Sequence, residues 1–140
     1  MTIDEATRST KLCMDQMNSR YGGVVFDEWA ILTLQEQQAR VLTYVGPRTE
    51  AFKHDFNKDL GSLRAGLADS DFQTGDFEFA RHAVGTGIES FMVLGKGAYL
   101  ICNNTEHTMS DIAANPKWLD AQVPFAELGD SFRGNPLVLT

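Results

Sequence analysis

The sequence has few cysteines and no long apolar run, and both shortages restrict what the protein can be. Cys13 and Cys102 are the only cysteines among 140 residues. Neither a Cys-x-x-Cys motif nor a Cys/His metal spacing occurs. Each cysteine lies in an apolar pattern, which predicts two buried free thiols. The N-terminal residues carry acids early and no apolar stretch of membrane-spanning length, so neither a signal peptide nor a membrane span is expected.

Basic residues are also scarce. The chain has 12 Lys and Arg against 19 Asp and Glu, which gives a net charge of −7. This balance disfavours nucleic acids and anionic membrane surfaces as partners, because both are bound through Lys and Arg. Hydrophobic residues make up 43% of the chain, a share typical of globular domains. We therefore expect one cytoplasmic domain spanning residues 1–140.

The common catalytic and nucleotide-binding motifs are absent as well. No G-x-S-x-G or G-x-x-x-x-G-K-[ST] sequence occurs. Gly85–Gly87 and Gly95–Gly97 each lie between two strand-like runs, which predicts hairpin turns instead of phosphate-binding loops. The sequence therefore favours a noncatalytic protein, and we expect no cofactor.

The glycine turns separate three extended runs in the stretch from Asp76 to Asn103. These runs are Phe77–Val84, Ile88–Leu94 and Ala98–Cys102. Strand-like runs joined by short glycine-containing loops are typical of β-hairpins, because glycine accepts the positive φ of tight turns. The stretch therefore predicts a three-stranded meander.

A helix and two strands are expected before the meander. Residues 3–19 have helical periodicity, and Thr2 with Glu5 has the form of a capping box. Val24–Leu34 and Ala39–Val45 are rich in β-branched and aromatic residues and predict two strands joined by a polar loop, Gln35–Gln38. A helix over Glu28–Leu42 remains an alternative, because Gln, Glu, Leu and Ala favour helices.

The clearest periodicity in the chain predicts an amphipathic helix from Phe52 to Leu67. Its apolar residues recur at spacings of 4, 4, 3 and 4, and they are Phe52, Phe56, Leu60, Leu63 and Leu67. After the meander, prolines interrupt the pattern and predict short or kinked helices from about residue 109 to 132. The predicted fold is α/β (α+β), with a five-stranded antiparallel sheet, helices packed on its faces, and the order α-β-β-α-β-β-β-α.

The three histidines are the first candidates for chemistry. His54 neighbours Asp55 on the polar side of the predicted helix, which favours a surface residue. His82 follows Glu78 in a strand, and His107 follows Glu106 in a loop. A metal site formed by two histidines and a carboxylate would require a spatial proximity that the sequence does not show. We therefore predict no metal site.

The order of elements resembles the roadblock/LC7 family and the wider profilin-like group. The residues that carry the resemblance are the Gly22–Phe26 entry into the first strand, the Phe52–Leu67 helix, and the meander ending in Tyr99–Cys102. The resemblance implies a noncatalytic homodimer that pairs through its second helix and an adjacent edge strand. It also implies a platform for a small GTPase or for motor and signalling partners.

On this resemblance we expect the dimer interface to include Phe52, Phe56, Leu60 and Leu63.

Two other functions remain open. The size and acidity are similar to those of type III secretion chaperones, although those usually place three strands before the middle helix. A small-molecule sensor or enzyme would need a pocket between the sheet and the Phe52–Leu67 helix. Its polar groups would be His82, Tyr99 and Asn103.

Overall fold

The structure is a computed structural model that describes residues 1–35, 38–51, 71–79 and 90–139. The predicted Phe52–Leu67 helix and Gly85–Gly87 turn lie outside these residues, and the predicted strands Phe77–Val84 and Ile88–Leu94 lie partly outside them. Residues 49–51, just before the first of these, are helical.

The first helix begins and ends at local sequence signals. Helix α1 covers Ile3–Tyr21. The Thr2 hydroxyl accepts the Glu5 N–H at 3.2 Å, and the Glu5 carboxylate accepts the Thr2 N–H at 3.3 Å. This reciprocal arrangement is the predicted capping box. The helix ends at Gly22, which has φ +80° and whose N–H donates to the Asn18 carbonyl.

The five strands form a single antiparallel sheet, as predicted. The strands are β1 Glu28–Gln35, β2 Gln38–Val45, β3 Phe77–Phe79, β4 Ser90–Gly95 and β5 Ala98–Asn103. Their spatial order is β2-β1-β5-β4-β3. The last two strands are joined by the predicted turn at Gly95–Gly97, where Gly97 has φ +70°. The mixed α/β fold class is therefore confirmed.

The first hairpin differs from its predicted boundaries. Strand β1 begins at Glu28 and not at Val24, because Val25 and Phe26 turn inward and are buried before the strand begins. Gln35 pairs with Gln38, so only two residues separate the paired ends of the strands. The predicted loop, Gln35–Gln38, is therefore two residues too long. The helical alternative for Glu28–Leu42 is wrong.

Strand β2 contains a β-bulge. Ile31 pairs with Thr43, whereas Leu32 pairs with Val41, so Leu42 is the extra residue. A bulge shifts the alternation of side chains by one position. As a result, Val41 and Tyr44 lie on the same face of the sheet although they are three residues apart.

Three helices follow the sheet and confirm the prediction of short, interrupted helices. They are α2 Met109–Ala113, α3 Trp118–Ala121 and α4 Val123–Gly134, the last with Pro124 in its first turn. Beyond α4 the chain has no regular secondary structure, and the Leu137 N–H donates to the Leu94 carbonyl at 2.8 Å. Leu137 is buried there, which fixes the tail against β4.

The main core lies between one face of the sheet and helices α1 to α4. It includes Trp29, Ile31, Met92, Leu94, Leu100 and Cys102 from the strands and Cys13, Met17, Phe125 and Phe132 from the helices. Phe125 is fully buried and contacts the rings of Phe77 and Phe79, with centroids 5.2 and 4.9 Å away. This face of the sheet is therefore closed by an aromatic cluster.

The opposite face of the sheet is also apolar, and we call it the second apolar face. Its fully buried members are Ala30, Leu32 and Ile101, and its half-buried members are Leu34, Ala39, Val41, Tyr44, Phe91 and Tyr99. Every one of these residues lies on a strand. The sheet is therefore hydrophobic on both faces, as expected for a sheet that lies between two layers.

Candidate functional site

A fully buried carboxylate marks one end of the sheet. Glu28 is the first residue of β1 and has 0% exposure. Side chains alternate along a strand, so Glu28 lies on the same side as Ala30 and Leu32, at the border of the second apolar face. Charged residues are almost never fully buried unless they are paired. The partners of Glu28 therefore define the site.

Three side chains satisfy the Glu28 carboxylate, and we call the four residues the Glu28 cluster. Tyr44 donates its hydroxyl to Oε2 at 2.7 Å, and Asn103 donates Nδ2 to Oε1 at 3.2 Å. Arg48 donates Nη2 to Oε1 at 2.7 Å and Nε to Oε2 at 3.2 Å. Each carboxylate oxygen thus accepts two hydrogen bonds, one of them from the guanidinium group.

The members of the Glu28 cluster come from separate parts of the chain. Glu28 pairs directly with Asn103 across β1 and β5, and Tyr44 lies near the end of β2. Arg48 follows β2, and its backbone N–H donates to the Tyr44 hydroxyl at 2.8 Å. The cluster therefore joins three strands to the segment that leaves the sheet.

Gly46 permits the chain to turn back onto this cluster. A Cβ atom at this position would lie 2.7 Å from the Tyr44 hydroxyl and 3.0 Å from the Glu28 side chain. The first distance is shorter than real Cβ contacts, and the second is tighter than most of them. A side chain at residue 46 would therefore require Tyr44 or Glu28 to shift.

The electrostatics of the cluster favour a protonated tyrosine. Burial and the hydrogen bond to the Glu28 carboxylate raise the pKa of Tyr44 to about 12. The phenol therefore remains a hydrogen-bond donor throughout the physiological range. Arg48 supplies the compensating charge, with its side chain 38% exposed while that of Glu28 is wholly enclosed.

Two of the three predicted ligand-binding residues, Tyr99 and Asn103, lie within the described residues, at different positions along β5. Asn103 belongs to the Glu28 cluster, whereas Tyr99 pairs with Leu32 in the middle of the second apolar face. The two lie on the same side of β5, four residues or about 13 Å apart along the strand. His82 lies outside the described residues, as do the predicted interface residues Phe52, Phe56, Leu60 and Leu63.

The candidate metal ligands are likewise dispersed. Glu78 is a half-buried residue of β3, whereas Glu106 and His107 are exposed in the loop after β5. There the Asn104 side chain accepts both of their backbone N–H groups, at 2.9 and 2.7 Å. Within residues 1–35, 38–51, 71–79 and 90–139, no group of three or more His, Cys, Asp or Glu side chains has a metal-binding arrangement.

The two cysteines are buried free thiols, as predicted. Burial raises the pKa of the Cys13 thiol to about 12, and the nearby Glu127 carboxylate adds to the effect. Burial likewise raises the pKa of Cys102 well above its ordinary value, with a further contribution from Cys13. Neither thiol is activated as a nucleophile, since the reactive form is the thiolate.

The raised pKa values predict a loss of stability at alkaline pH. Between the unfolded pKa of 9.0 and the folded value of about 12, the folded chain keeps a Cys13 proton that the unfolded chain releases. This stabilisation is complete below pH 9 and is lost as pH rises toward 12. Cys13 contributes up to about 1.4 kcal/mol per pH unit, and Tyr44 acts in the same direction above its unfolded pKa of 10.0.

Urea unfolding at about pH 8 and about pH 11 measures this loss. The Cys13→Ala variant is expected to lose less stability than the wild type over the same interval, because it has no thiol to ionise. Equal losses in the two proteins would contradict the assignment to Cys13.

The sequence contained one usable signal for the Glu28 cluster. Glu28 is a charged residue that shares the side-chain alternation of Ala30 and Leu32, and a charge on an apolar strand face requires a partner. The partner itself was not predictable. Arg48 follows a Gly-Pro break, and nothing in the sequence shows where its side chain points.

None of the helices in the described part of the chain combines the length and apolar character that crossing a membrane requires.

Comparison with known proteins adds no relative. No family model matches the chain, and searches of curated proteins and of solved structures also found no match.

Proposed function

We propose that this chain is a noncatalytic, homodimeric protein-interaction module with a roadblock/LC7-like or profilin-like architecture. The observation that carries the proposal is the five-stranded antiparallel sheet with apolar clusters on both faces. Helices α1 to α4 account for the main core on one face. The second apolar face lies on the other side of the sheet, and its central residues Ala30, Leu32 and Ile101 are fully buried.

The order of the described elements favours this proposal over a secretion chaperone. Two strands, β1 and β2, precede the helical residues 49–51, and three strands follow. The chaperone alternative expects three strands before the middle helix. The proposed module acts in the cytoplasm, and its partners are a second copy of the chain and another protein such as a small GTPase or signalling component.

The homodimer is testable with one substitution and one matched control. The Phe56→Asp variant places a charge on the predicted interface and is expected to shift the protein to the monomer. His54→Asp makes the same change on the polar side of the predicted helix and is expected to leave the dimer intact. Light scattering from micromolar to near-millimolar concentration gives the mass of each protein. A wild-type chain that remains monomeric over this whole range would disprove the proposal.

A further inference from the structure

We infer that residues 1–6 and 135–139 form a latch that opens and closes as one cooperative unit. The two segments lie at opposite ends of the described chain, and hydrogen bonds join them beside the main core. The inference concerns the folded chain itself and does not depend on the proposed homodimer.

The first step is that the two segments hold each other. The Val138 N–H donates to the Met1 carbonyl at 3.0 Å. The Met1 amino group donates to the Asn135 side-chain Oδ1 at 2.9 Å and to the Pro136 carbonyl at 2.7 Å. Neither segment therefore keeps these bonds when the other moves away.

The second step is that Leu137 anchors the latch to the sheet. Its side chain is 4% exposed in the main core, whereas that of the next residue, Val138, is 59% exposed. The Leu137 N–H donates to the Leu94 carbonyl at 2.8 Å. A Cβ atom at Gly95 would lie 2.5 Å from the Leu137 carbonyl oxygen, so the glycine lets the two backbones approach closely. Leu137 is thus attached to β4 through its backbone and to the core through its side chain.

The third step is that the start of α1 depends on the residue next to Met1. The Thr2 hydroxyl accepts the Glu5 N–H at 3.2 Å, and the Thr2 carbonyl accepts the Ala6 N–H at 2.9 Å. A displacement of Met1 therefore disturbs the residue that caps the helix. Helix ends and chain termini fray unless they are tied down, so the contacts of Met1 with residues 135–139 stabilise the first turn.

Cooperative opening follows from this arrangement, because each segment restrains the other. Release of residues 135–139 frees Met1, and fraying of residues 1–6 removes the acceptor of the Val138 N–H. Opening also uncovers the Leu94 carbonyl and the space that Leu137 fills, although Leu94 is fully buried in the closed state. The latch therefore controls the access of solvent to this end of the main core.

Hydrogen exchange of the full chain, measured for single amides by nuclear magnetic resonance in dilute urea, tests the inference. The Ala6, Leu137 and Val138 amides of the wild type are expected to share one opening free energy and one urea dependence. Both quantities are expected to be smaller than those of the paired amides of β5. Protection factors of Ala6 and Leu137 that differ by more than about tenfold would overturn the inference.

Two aspartate substitutions form a matched pair. Leu137→Asp places a charge in the main core and is expected to speed exchange at Ala6 about tenfold or more. Val138→Asp adds the same charge on an exposed side chain and is expected to keep the Ala6 rate within about twofold of the wild type. Unchanged exchange at Ala6 in a folded Leu137→Asp variant would show that the two segments open separately, and the inference would fail.

The reverse experiment keeps the inference testable if Leu137→Asp does not fold, because energetic coupling is reciprocal. Thr2→Ala removes the capping hydroxyl and is expected to speed exchange at Val138 about fivefold, the factor that corresponds to the usual cost of losing a helix cap. Thr108→Ala removes the equivalent cap of α2 and is the control, with no change expected at Val138. Equal Val138 exchange in Thr2→Ala and the wild type would also overturn the inference.

Discussion

Replacing Phe125 with alanine is expected to lower the free energy of unfolding by about 3–5 kcal/mol. The ring is fully buried and contacts Phe26, Phe77 and Phe79, whose centroids lie 6.1, 5.2 and 4.9 Å away. Aromatic rings in edge-to-face or tilted contact are favourable beyond the area that they bury. Their loss adds to the cavity that alanine would leave.

The size of the loss depends on how far this part of the core collapses. The rings around Phe125 come from the loop before β1 and from the edge strand β3, so they are attached to different backbone segments. Backbone contact limits their movement, because a Cβ atom added at Gly129 in α4 would lie 2.5 Å from the Gly75 carbonyl. A helix already this close to the chain before β3 cannot move inward to fill the space, which places the expected cost in the upper part of the range.

Urea unfolding followed by circular dichroism measures the Phe125→Ala effect. Leu119→Ala in α3 is the control, because Leu119 is 76% exposed and its truncation is expected to change stability by less than about 0.5 kcal/mol. Comparable destabilisation in the two variants would contradict the assignment of Phe125 to the main core.

Replacing Glu28 with alanine is expected to lower the free energy of unfolding by about 1–3 kcal/mol for each buried donor that loses its acceptor. Four hydrogen bonds lose their acceptor at once, from the Tyr44 hydroxyl, the Asn103 amide and two nitrogens of Arg48. Leaving a buried donor without an acceptor costs more free energy than the hydrogen bond contributed to stability. Arg48 is the least affected donor, because its side chain is 38% exposed and can turn toward water.

A double-mutant cycle measures the interaction free energy between Glu28 and Arg48 separately from the contributions of the surrounding residues. The Glu28→Met and Arg48→Met variants are each expected to be destabilised, and the double variant is expected to be less destabilised than the sum of the two, since it leaves no uncompensated charge. Unfolding in urea gives all four free energies. Strict additivity would show that Arg48 and Glu28 do not interact in solution.

The sequence predicted elements that depend on local signals. The Thr2–Glu5 capping box and the glycine after Tyr21 define α1 within a few residues, and Pro124 correctly indicated a break between short helices. Such signals act over three or four residues, so the sequence contains all the information about them. The predicted order of the described elements along the chain was also correct, because strand-like runs separated by turn signals are local features of the sequence.

The errors arose where distant residues determine local structure. Val25 continues the apolar run of β1, yet it is buried before the strand begins, and its N–H donates to the Asn18 side chain at 2.9 Å. Alternation also fails at Leu42, where the bulge places Val41 and Tyr44 on one face. Neither the Asn18 contact nor the bulge has a signature in a single sequence.

The candidate site was predicted only in part for the same reason. Asn103 was identified as a polar residue at the end of β5, and it does contact a buried charge. Glu28 lies 75 residues away in the sequence, and the two meet only because β1 and β5 are adjacent in the sheet. Tyr99 and Asn103 were grouped as polar residues of one predicted pocket, and they share a face of β5 but lie four residues apart along it.

The bulge at Leu42 has a consequence for solubility. Strand β2 is a terminal strand of the described sheet and is eight residues long, a length that would ordinarily invite edge-to-edge aggregation. The bulge increases the local twist and divides the strand into two shorter segments. Each segment of the edge that an unrelated strand could extend is therefore shorter and less flat. Removing the extra residue would straighten β2, and the resulting protein would be more prone to form insoluble β-rich assemblies.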